Sequence, residues 1–280
     1  MQYKDYITTI YIIVDDILKL LKHKHKTNKP KFSDSQLITF LVFAMMFRKG
    51  EYKETLKEFK ENYSELFPYI PNLSAIVKRA RKNRDLVNIL LIILRNIFLD
   101  KETTIAIVDT KPIPVCKNQR IMRNKKLKGK EYKGNNGNRE WYGFKLCLLV
   151  DYYERPIAFN VMPASRHDIN FLKEIKREQT VMEYLKKKVI VADKAFNSKG
   201  LKEEFERMGI ELEAIKKGRV HPKQRERQEY LKRVRKKIET AFSRLYFMGI
   251  ENIRAISLEG FITKIYFFVL ALQFKVCLNS

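Results

Sequence analysis

Cysteine, glycine and proline are all scarce in this sequence of 280 residues, which contains 3 cysteines, 10 glycines and 8 prolines. Cys116, Cys147 and Cys277 are odd in number and far apart, with no CxxC spacing. We therefore expect free thiols in a reducing compartment, which excludes a disulfide scaffold. The low glycine and proline content argues against long low-complexity linkers.

Long uninterrupted apolar runs are also lacking. Charged residues break the three most apolar stretches: Asp15 lies in the first, Arg95 in the second and Lys264 in the third. A membrane helix needs about 20 apolar residues, so we expect no membrane span. The acidic residues near the N-terminus do not fit a signal peptide. We expect a cytoplasmic location.

Acidic residues are too few to balance the basic ones. The sequence has 57 Lys and Arg against 32 Asp and Glu, a net charge of +25. Nucleic acid is the usual partner of such an excess, because binding releases condensed counterions. Charge alone leaves an anionic membrane surface, or merely a lysine-rich proteome, as alternatives.

Residues 1–100 have the pattern of an all-helical region. Apolar residues recur at helical spacing from Ile7 to Leu21, and Ser33 supplies a start signal for a helix that reaches Phe47. Further helices are predicted over 52–67, over a basic segment from Asn72 to Arg84, and over 85–99.

From Thr103 onward the pattern changes to short apolar or alternating runs that are typical of strands. We predict strands at 103–110, 142–150, 156–162, 189–192 and 210–215, with helices at 168–186, 199–208, 224–246 and 257–276. This order predicts an α/β fold with a ribonuclease-H-like mixed five-stranded sheet flanked by helices. The predicted domains are a helical region at 1–100 and a catalytic domain at 101–280 that includes the C-terminal helix.

Three carboxylates have positions that suit metal chemistry. Asp109 follows one buried strand and Asp193 follows another, and functional groups collect at the carboxyl ends of strands. Glu239 lies at the edge of the apolar stripe of a long helix, with Lys232 and Arg235 on its own face. Carboxylate oxygens are the ligands that Mg²⁺ and Mn²⁺ prefer.

Each carboxylate taken alone has a simpler interpretation. An aspartate after a strand is most often a turn residue or a helix cap, and a glutamate among basic residues usually forms a weak surface ion pair. His167 and Asp168 suggest a helix start more than an acid/base pair. Lys145 suits a phosphate contact or solvent exposure about equally, and Trp141 and Tyr142 suit either base stacking or packing.

Five segments, taken in order, resemble bacterial DDE transposases, specifically the insertion-sequence 982 family. The segments are Val108-Asp109-Thr110-Lys-Pro-Ile-Pro-Val-Cys116, Tyr142-Gly-Phe-Lys145, Pro163-Ala-Ser-Arg-His-Asp168, Ala192-Asp193-Lys-Ala-Phe196 and Arg235-Lys-Lys-Ile-Glu239-Thr-Ala-Phe-Ser243. The resemblance covers nearly the whole chain. It departs from the family at Ala195-Phe196, where glycine and tyrosine are more usual.

The resemblance implies a metal-dependent transposase of a bacterial insertion sequence, which nicks the element ends and joins their 3′-hydroxyls to target DNA. Asp109, Asp193 and Glu239 would be the catalytic metal ligands, for two Mg²⁺ or Mn²⁺ ions. Double-stranded DNA would be the partner, with a homodimer or higher oligomer in the complex and a location at the nucleoid. A ribonuclease-H-fold nuclease and a catalytically silent DNA-binding derivative are the alternatives.

Two basic tracts flank the carboxylates in sequence. Residues 111–145 contain eleven Lys and Arg against two Glu, and residues 216–237 contain eleven against two. Both tracts suit phosphate contacts, and the helix after Asn72 suits recognition of DNA ends or a plain solvated face. The candidate DNA-binding residues are Arg123, Lys125, Lys126, Lys128, Lys232, Arg235, Lys78, Arg79 and Arg81.

Overall fold

The structure is a computed structural model. It describes residues 2–23, 30–98, 102–116, 118–124, 127–135, 140–215 and 222–279. The helices of these ranges are α1 (Tyr3–Leu20), α2 (Asp34–Phe47), α3 (Tyr52–Asn62), α4 (Leu73–Lys82), α5 (Arg84–Phe98), α6 (Ile169–Ile175), α7 (Gln179–Leu185), α8 (Lys199–Arg207), α9 (Pro222–Phe247) and α10 (Leu258–Cys277). The strands are β1 (Ile105–Cys116), β2 (Lys133–Asn135), β3 (Glu140–Asp151), β4 (Pro156–Pro163), β5 (Val189–Ala192) and β6 (Glu211–Ala214).

The chain divides into two compact units. The first contains residues 1–97 together with 245–280, and the second contains residues 98–244. The predicted catalytic domain, 101–280, includes α10, whereas in the structure α10 packs against α2 and α4 in the first unit. The physical reason is that α10 is apolar on nearly all sides and fills a core that α2, itself almost fully buried, cannot close alone.

The first unit has an aromatic core and one buried ion cluster. Phe40 and Phe43 of α2 each lie 5.1 Å from Phe59 of α3, measured between ring centroids. At the start of α2, the buried carboxylate of Asp34 accepts hydrogen bonds from Arg79 (2.5 Å) and from the amide of Asn83 (3.1 Å). This cluster ties the basic helix α4 to α2.

Among the described residues, α10 is the one helix long and apolar enough to cross a bilayer. Its most apolar window is 72% buried inside the protein. The same length and composition are expected of the core helix of a folded unit, which is the position that α10 occupies.

The second unit is a mixed sheet covered by helices, which confirms the predicted ribonuclease-H-like fold class. The order across the sheet is β2-β3-β1-β5-β6, and β4 also pairs with β3. β3 is antiparallel to β1 and β4, whereas β1, β5 and β6 run parallel. The helices α6, α7 and α8 cover one face, where their apolar side chains meet those of β1, β3 and β5.

Three details of the second unit differ from the prediction. The sheet has a sixth strand, the three-residue β2, which pairs with the first residues of β3. β1 continues to Cys116 instead of ending near Thr110. The single helix predicted over 168–186 is two helices, because the backbone at Glu178 is extended (φ −91°, ψ 93°).

Candidate active site

Pairing between β1 and β5 places Asp109 beside Asp193. The last residues of this parallel ladder are Val108 and Ala192, which face each other, and each aspartate is the next residue in its strand direction. Neighbouring strands lie about 4.8 Å apart. Asp109 lies within β1, which continues past it, whereas Asp193 leaves β5 and starts a short 3-10 helix.

The alternation of β1 directs Asp109 to the sheet face opposite α6, α7 and α8. Successive side chains of a strand point to opposite faces, and Ala106 and Val108 belong to the core that these helices cover. On the other face, Arg235 of α9 meets Asp109, since its Nη2 donates a 2.7 Å hydrogen bond to Oδ2 of the carboxylate. The second oxygen, Oδ1, accepts a 2.8 Å hydrogen bond from the backbone N–H of Thr110.

Glu239 approaches the same guanidinium from one turn further along α9. Its Oε1 lies 3.7 Å from Nη1 of Arg235. The apolar stripe of α9, which includes the fully buried Leu231 and Ile238, fixes the rotation of the helix. As a result Glu239 and Arg235 lie at the edge of that stripe, as the sequence pattern predicts, and the Glu239 side chain is 57% exposed.

The electrostatics of Asp109 reflect its enclosed position. Burial raises the pKa of this carboxyl group. Arg235 and the Thr110 amide oppose that rise, whereas the negative charge of Asp193 adds to it. Burial alone would lower the pKa of Arg235, but the negative charges of Asp109, Asp193 and Glu239 raise it above its usual value. One guanidinium therefore sits in the field of all three predicted carboxylates.

No group of three His, Cys, Asp or Glu side chains in the described ranges stands close enough together to hold an ion. The donor set nevertheless fits a hard divalent cation, because the three groups offer carboxylate oxygens. The place between Asp109 and Glu239 is already taken by a cation, the guanidinium of Arg235. In this structure Arg235 thus supplies the positive charge that both carboxylates contact.

Of the candidate DNA-binding residues, Arg235 is partly buried and pairs with Asp109, as described above. The others fall into three groups. Arg123, Lys128, Lys232 and Lys78 have exposed side chains. Arg79 and Arg81 are only partly exposed: Arg79 is held by Asp34 and by the carbonyl of Phe32, and Arg81 lies 4.0 Å from Glu259. Lys125 and Lys126 lie outside the described residues.

The residues for which the sequence allowed both a functional and a structural role contact other parts of the protein. The ammonium of Lys145 lies 2.7 Å from Oδ1 of Asp168 and contacts the carbonyl of Arg166. Asp168 is the N-cap residue of α6, which confirms the predicted helix start, but its side chain makes this ion pair and no capping hydrogen bond. Trp141 and Tyr142 are 9% and 4% exposed, which leaves both packed in the protein.

Comparison with known proteins identifies the family. Residues 100–274 match the model of the transposase DDE domain. The chain belongs to the DDE transposase family. The match includes Asp109, Asp193 and Glu239 and spans the whole sheet of the second unit. No curated protein is significantly similar to this transposase in sequence.

Solved structures give a more distant likeness. The Mos1 transposase paired-end complex with left transposon end is 11% identical, covers 84% of this chain and 85% of its own, and has a TM-score of 0.26. The Mos1 strand transfer complex (10% identical, TM-score 0.26) and a pre-cleavage Mos1 transpososome (12%, 0.22) each cover 87% of both chains. At these TM-scores the likeness carries no argument about the site.

Proposed function

We propose that this chain is the transposase of a bacterial insertion sequence of the 982 family, and that it nicks the ends of its element and joins their 3′-hydroxyls to target DNA. The observation that carries the proposal is the convergence of Asp109 and Glu239 on one guanidinium, with Asp193 at the neighbouring strand end. Family membership supports the reaction class. The ordered sequence segments support the finer assignment.

In this proposal Asp109, Asp193 and Glu239 hold two Mg²⁺ or Mn²⁺ ions. Such ions, when bound, lower the pKa of the attacking hydroxyl and neutralise charge on the transferred phosphate. Asp109 is fixed by Thr110 and by its strand, so it offers an oriented oxygen. Glu239 lies on a helix face that is open to a substrate.

Arg235 has a second task in the proposed reaction. Its guanidinium is planar and suits two-point contact with a phosphate. With divalent cations bound by the carboxylates, Arg235 would be available to orient the scissile phosphate. Lys232 is one turn earlier on the same exposed side of α9 and extends the contact along the DNA backbone.

The proposed partners and location follow from this reaction. Double-stranded DNA, as element ends and as target, is the substrate. We propose that a dimer or higher oligomer assembles on the DNA, since two ends must be joined to one target. The proposed site of action is the bacterial cytoplasm, at the nucleoid.

The test uses purified protein and duplexes that carry the ends of the insertion sequence encoding the chain. With Mg²⁺ or Mn²⁺ we expect nicked ends and joined products, and with excess chelator we expect DNA binding without cleavage. Undiminished cleavage in chelator would contradict a metal mechanism. Tight binding with no cleavage under any metal would identify a silent DNA-binding derivative instead.

A further inference from the structure

The turn between β3 and β4 is held rigid by its own side chains. Oδ1 of Asp151 accepts hydrogen bonds from the backbone N–H groups of Tyr153 (3.0 Å) and Arg155 (2.9 Å). The Nε of Arg155 donates to Oδ2 of the same carboxylate at 2.6 Å. Asp151 is fully buried. The residues between Asp151 and Arg155 are therefore presented in one fixed arrangement.

Glu154 occupies the strained position of this turn. Its φ of +69° lies in the left-handed region, which glycine adopts without steric cost and other residues adopt rarely. The side chain is nonetheless large, charged and only 7% exposed. A glutamate at a position that favours glycine carries a conformational cost. Because its carboxylate is turned into the protein, we expect a contact of that carboxylate to offset the cost.

That contact is with α9. Oε2 of Glu154 lies 3.1 Å from Nη2 of Arg244. Burial raises the pKa of Glu154, and the positive charges of Arg244 and Lys237 oppose that rise. Lys237 also lies over the ring of Tyr152, with its Nζ 5.1 Å from the ring centroid. Two residues of the turn thus hold two cations of the helix.

These two cations lie on either side of Glu239 in sequence. Lys237 comes two residues before Glu239 and Arg244 five residues after it. At 3.6 residues per turn, Lys237 and Arg244 lie about two turns apart on one face of α9, and Glu239 points about 140–160° away from them. The β3–β4 turn therefore contacts the side of α9 that lies opposite Glu239, over the segment that carries Glu239.

We infer that Glu154 is a positioning residue for the active site: through Arg244 and Lys237 it fixes the α9 segment that carries Glu239 at its distance from Asp109. This inference rests on the proposed function, because it requires Glu239 to be a metal ligand. Glu154 itself touches neither substrate nor metal. Its contribution is to the geometry of the carboxylates and to their joint affinity for a cation.

The test compares Glu154→Gly with Lys187→Gly in the full chain. Lys187 is exposed and also has a positive φ, of 62°, at a turn away from α9. Both changes relieve the left-handed backbone, and only the first removes the contact with α9. We expect the melting temperature of each variant to be equal to or above that of the wild type.

The two variants should differ at the site. Glu154→Gly should raise the half-saturating Mn²⁺ concentration several-fold, measured by calorimetry without DNA, and lower kcat for joining at least tenfold with KM for DNA unchanged. It should also speed hydrogen exchange of the α9 amides around Glu239. Lys187→Gly should stay within twofold of the wild type in all three measurements.

A charge exchange provides the rescue. Arg244→Glu alone should reproduce the loss, and combination with Glu154→Arg should restore part of the Mn²⁺ affinity. Wild-type Mn²⁺ affinity and joining in Glu154→Gly would overturn the positioning role and leave the proposed function intact. A wild-type protein that neither binds Mn²⁺ nor joins ends would overturn the proposed function, and the positioning role with it.

Discussion

Arg235 donates a 2.7 Å hydrogen bond to Asp109, although 126 residues separate them in sequence. The side chains are 27% and 15% exposed, so the pair is shielded from water. Arg235 also lies 3.7 Å from Glu239, at a longer and weaker contact. Two of the three carboxylates of the proposed site therefore contact a cation that belongs to the protein itself.

The first prediction concerns this pair. Arg235→Gln should lower the unfolding free energy of metal-free protein by about 1–3 kcal/mol, because it leaves a buried carboxylate without its charged partner. The same change should increase the gain in melting temperature on adding Mn²⁺, since a competing cation is gone. Chemical denaturation with chelator, and thermal melts with and without Mn²⁺, measure the two effects. A smaller metal-induced gain than in the wild type would show that Arg235 does not compete with the metal.

The second prediction concerns the carboxylates. Asp109→Asn, Asp193→Asn and Glu239→Gln should each abolish nicking and joining while leaving the fold and DNA binding in place. The amides match the carboxylates in shape but carry no charge to hold a divalent ion against hydration. Glu229→Gln is the control, because Glu229 is exposed on the same helix and pairs only loosely with Arg225, at 3.6 Å. Joining at the wild-type rate by any one of the three variants would remove that residue from the active site.

The third prediction concerns the exposed face of α9. Neutralising Lys232 and Lys236 together should weaken binding to all DNA sequences alike and reduce the salt slope of binding by about two. Both side chains are exposed. Neutralising Lys199 and Lys202 of α8 removes the same charge from helix-surface ion pairs and should change the slope little. Equal slopes for the two double variants would mean that the overall charge, and not the α9 face, binds DNA.

The fourth prediction concerns Lys264, a partly buried lysine of α10. Lys264 donates to the carbonyl of Gly50 at 2.7 Å and lies 4.5 Å from the ring centroid of Tyr52. Burial lowers its pKa from 10.5 to about 8. The unfolded chain therefore binds more protons than the folded protein between these values, so this lysine makes the unfolding free energy rise as pH increases from about 8 to 10.5.

Lys264→Met should remove that rise. Denaturant unfolding of wild type and variant at pH 7 and at about pH 9.5 gives the comparison, in which other titrating groups cancel. The wild type should gain stability relative to the variant at the higher pH. Parallel behaviour of the two proteins would show that Lys264 keeps an ordinary pKa.

Local sequence pattern was enough to place the aspartates but not their partner. Asp109 and Asp193 each follow a short apolar run, and parallel pairing brings the two positions together. The contact between Arg235 and Asp109 was not predictable, since it depends on how α9 packs on the sheet. The basic residues on the face of Glu239 suggested only a phosphate contact.

The end of β1 was missed for a related reason. Pro112 and Pro114 read as strand breakers, yet both pair with β3. A strand tolerates proline where its nitrogen faces an open edge, and β5 pairs with β1 only as far as Val108. The segment between α6 and α7 contains no glycine or proline, so the sequence gives no local signal of the break. The position of α10 depends on which of the two units needs a further helix to complete its core. Helical periodicity in the sequence does not show which unit that is.

The division of the chain also sets an order of assembly during synthesis. The helices α1 to α5 are synthesised before the sheet unit, but the helix that closes their core, residues 258–277, is synthesised after it. The sheet unit lies between them in sequence and is complete by Arg244. The sheet unit is thus able to fold before the first unit is finished. A chain cut short before Leu258 would carry a finished sheet and an open apolar surface on α2, which marks the incomplete product for aggregation or proteolysis.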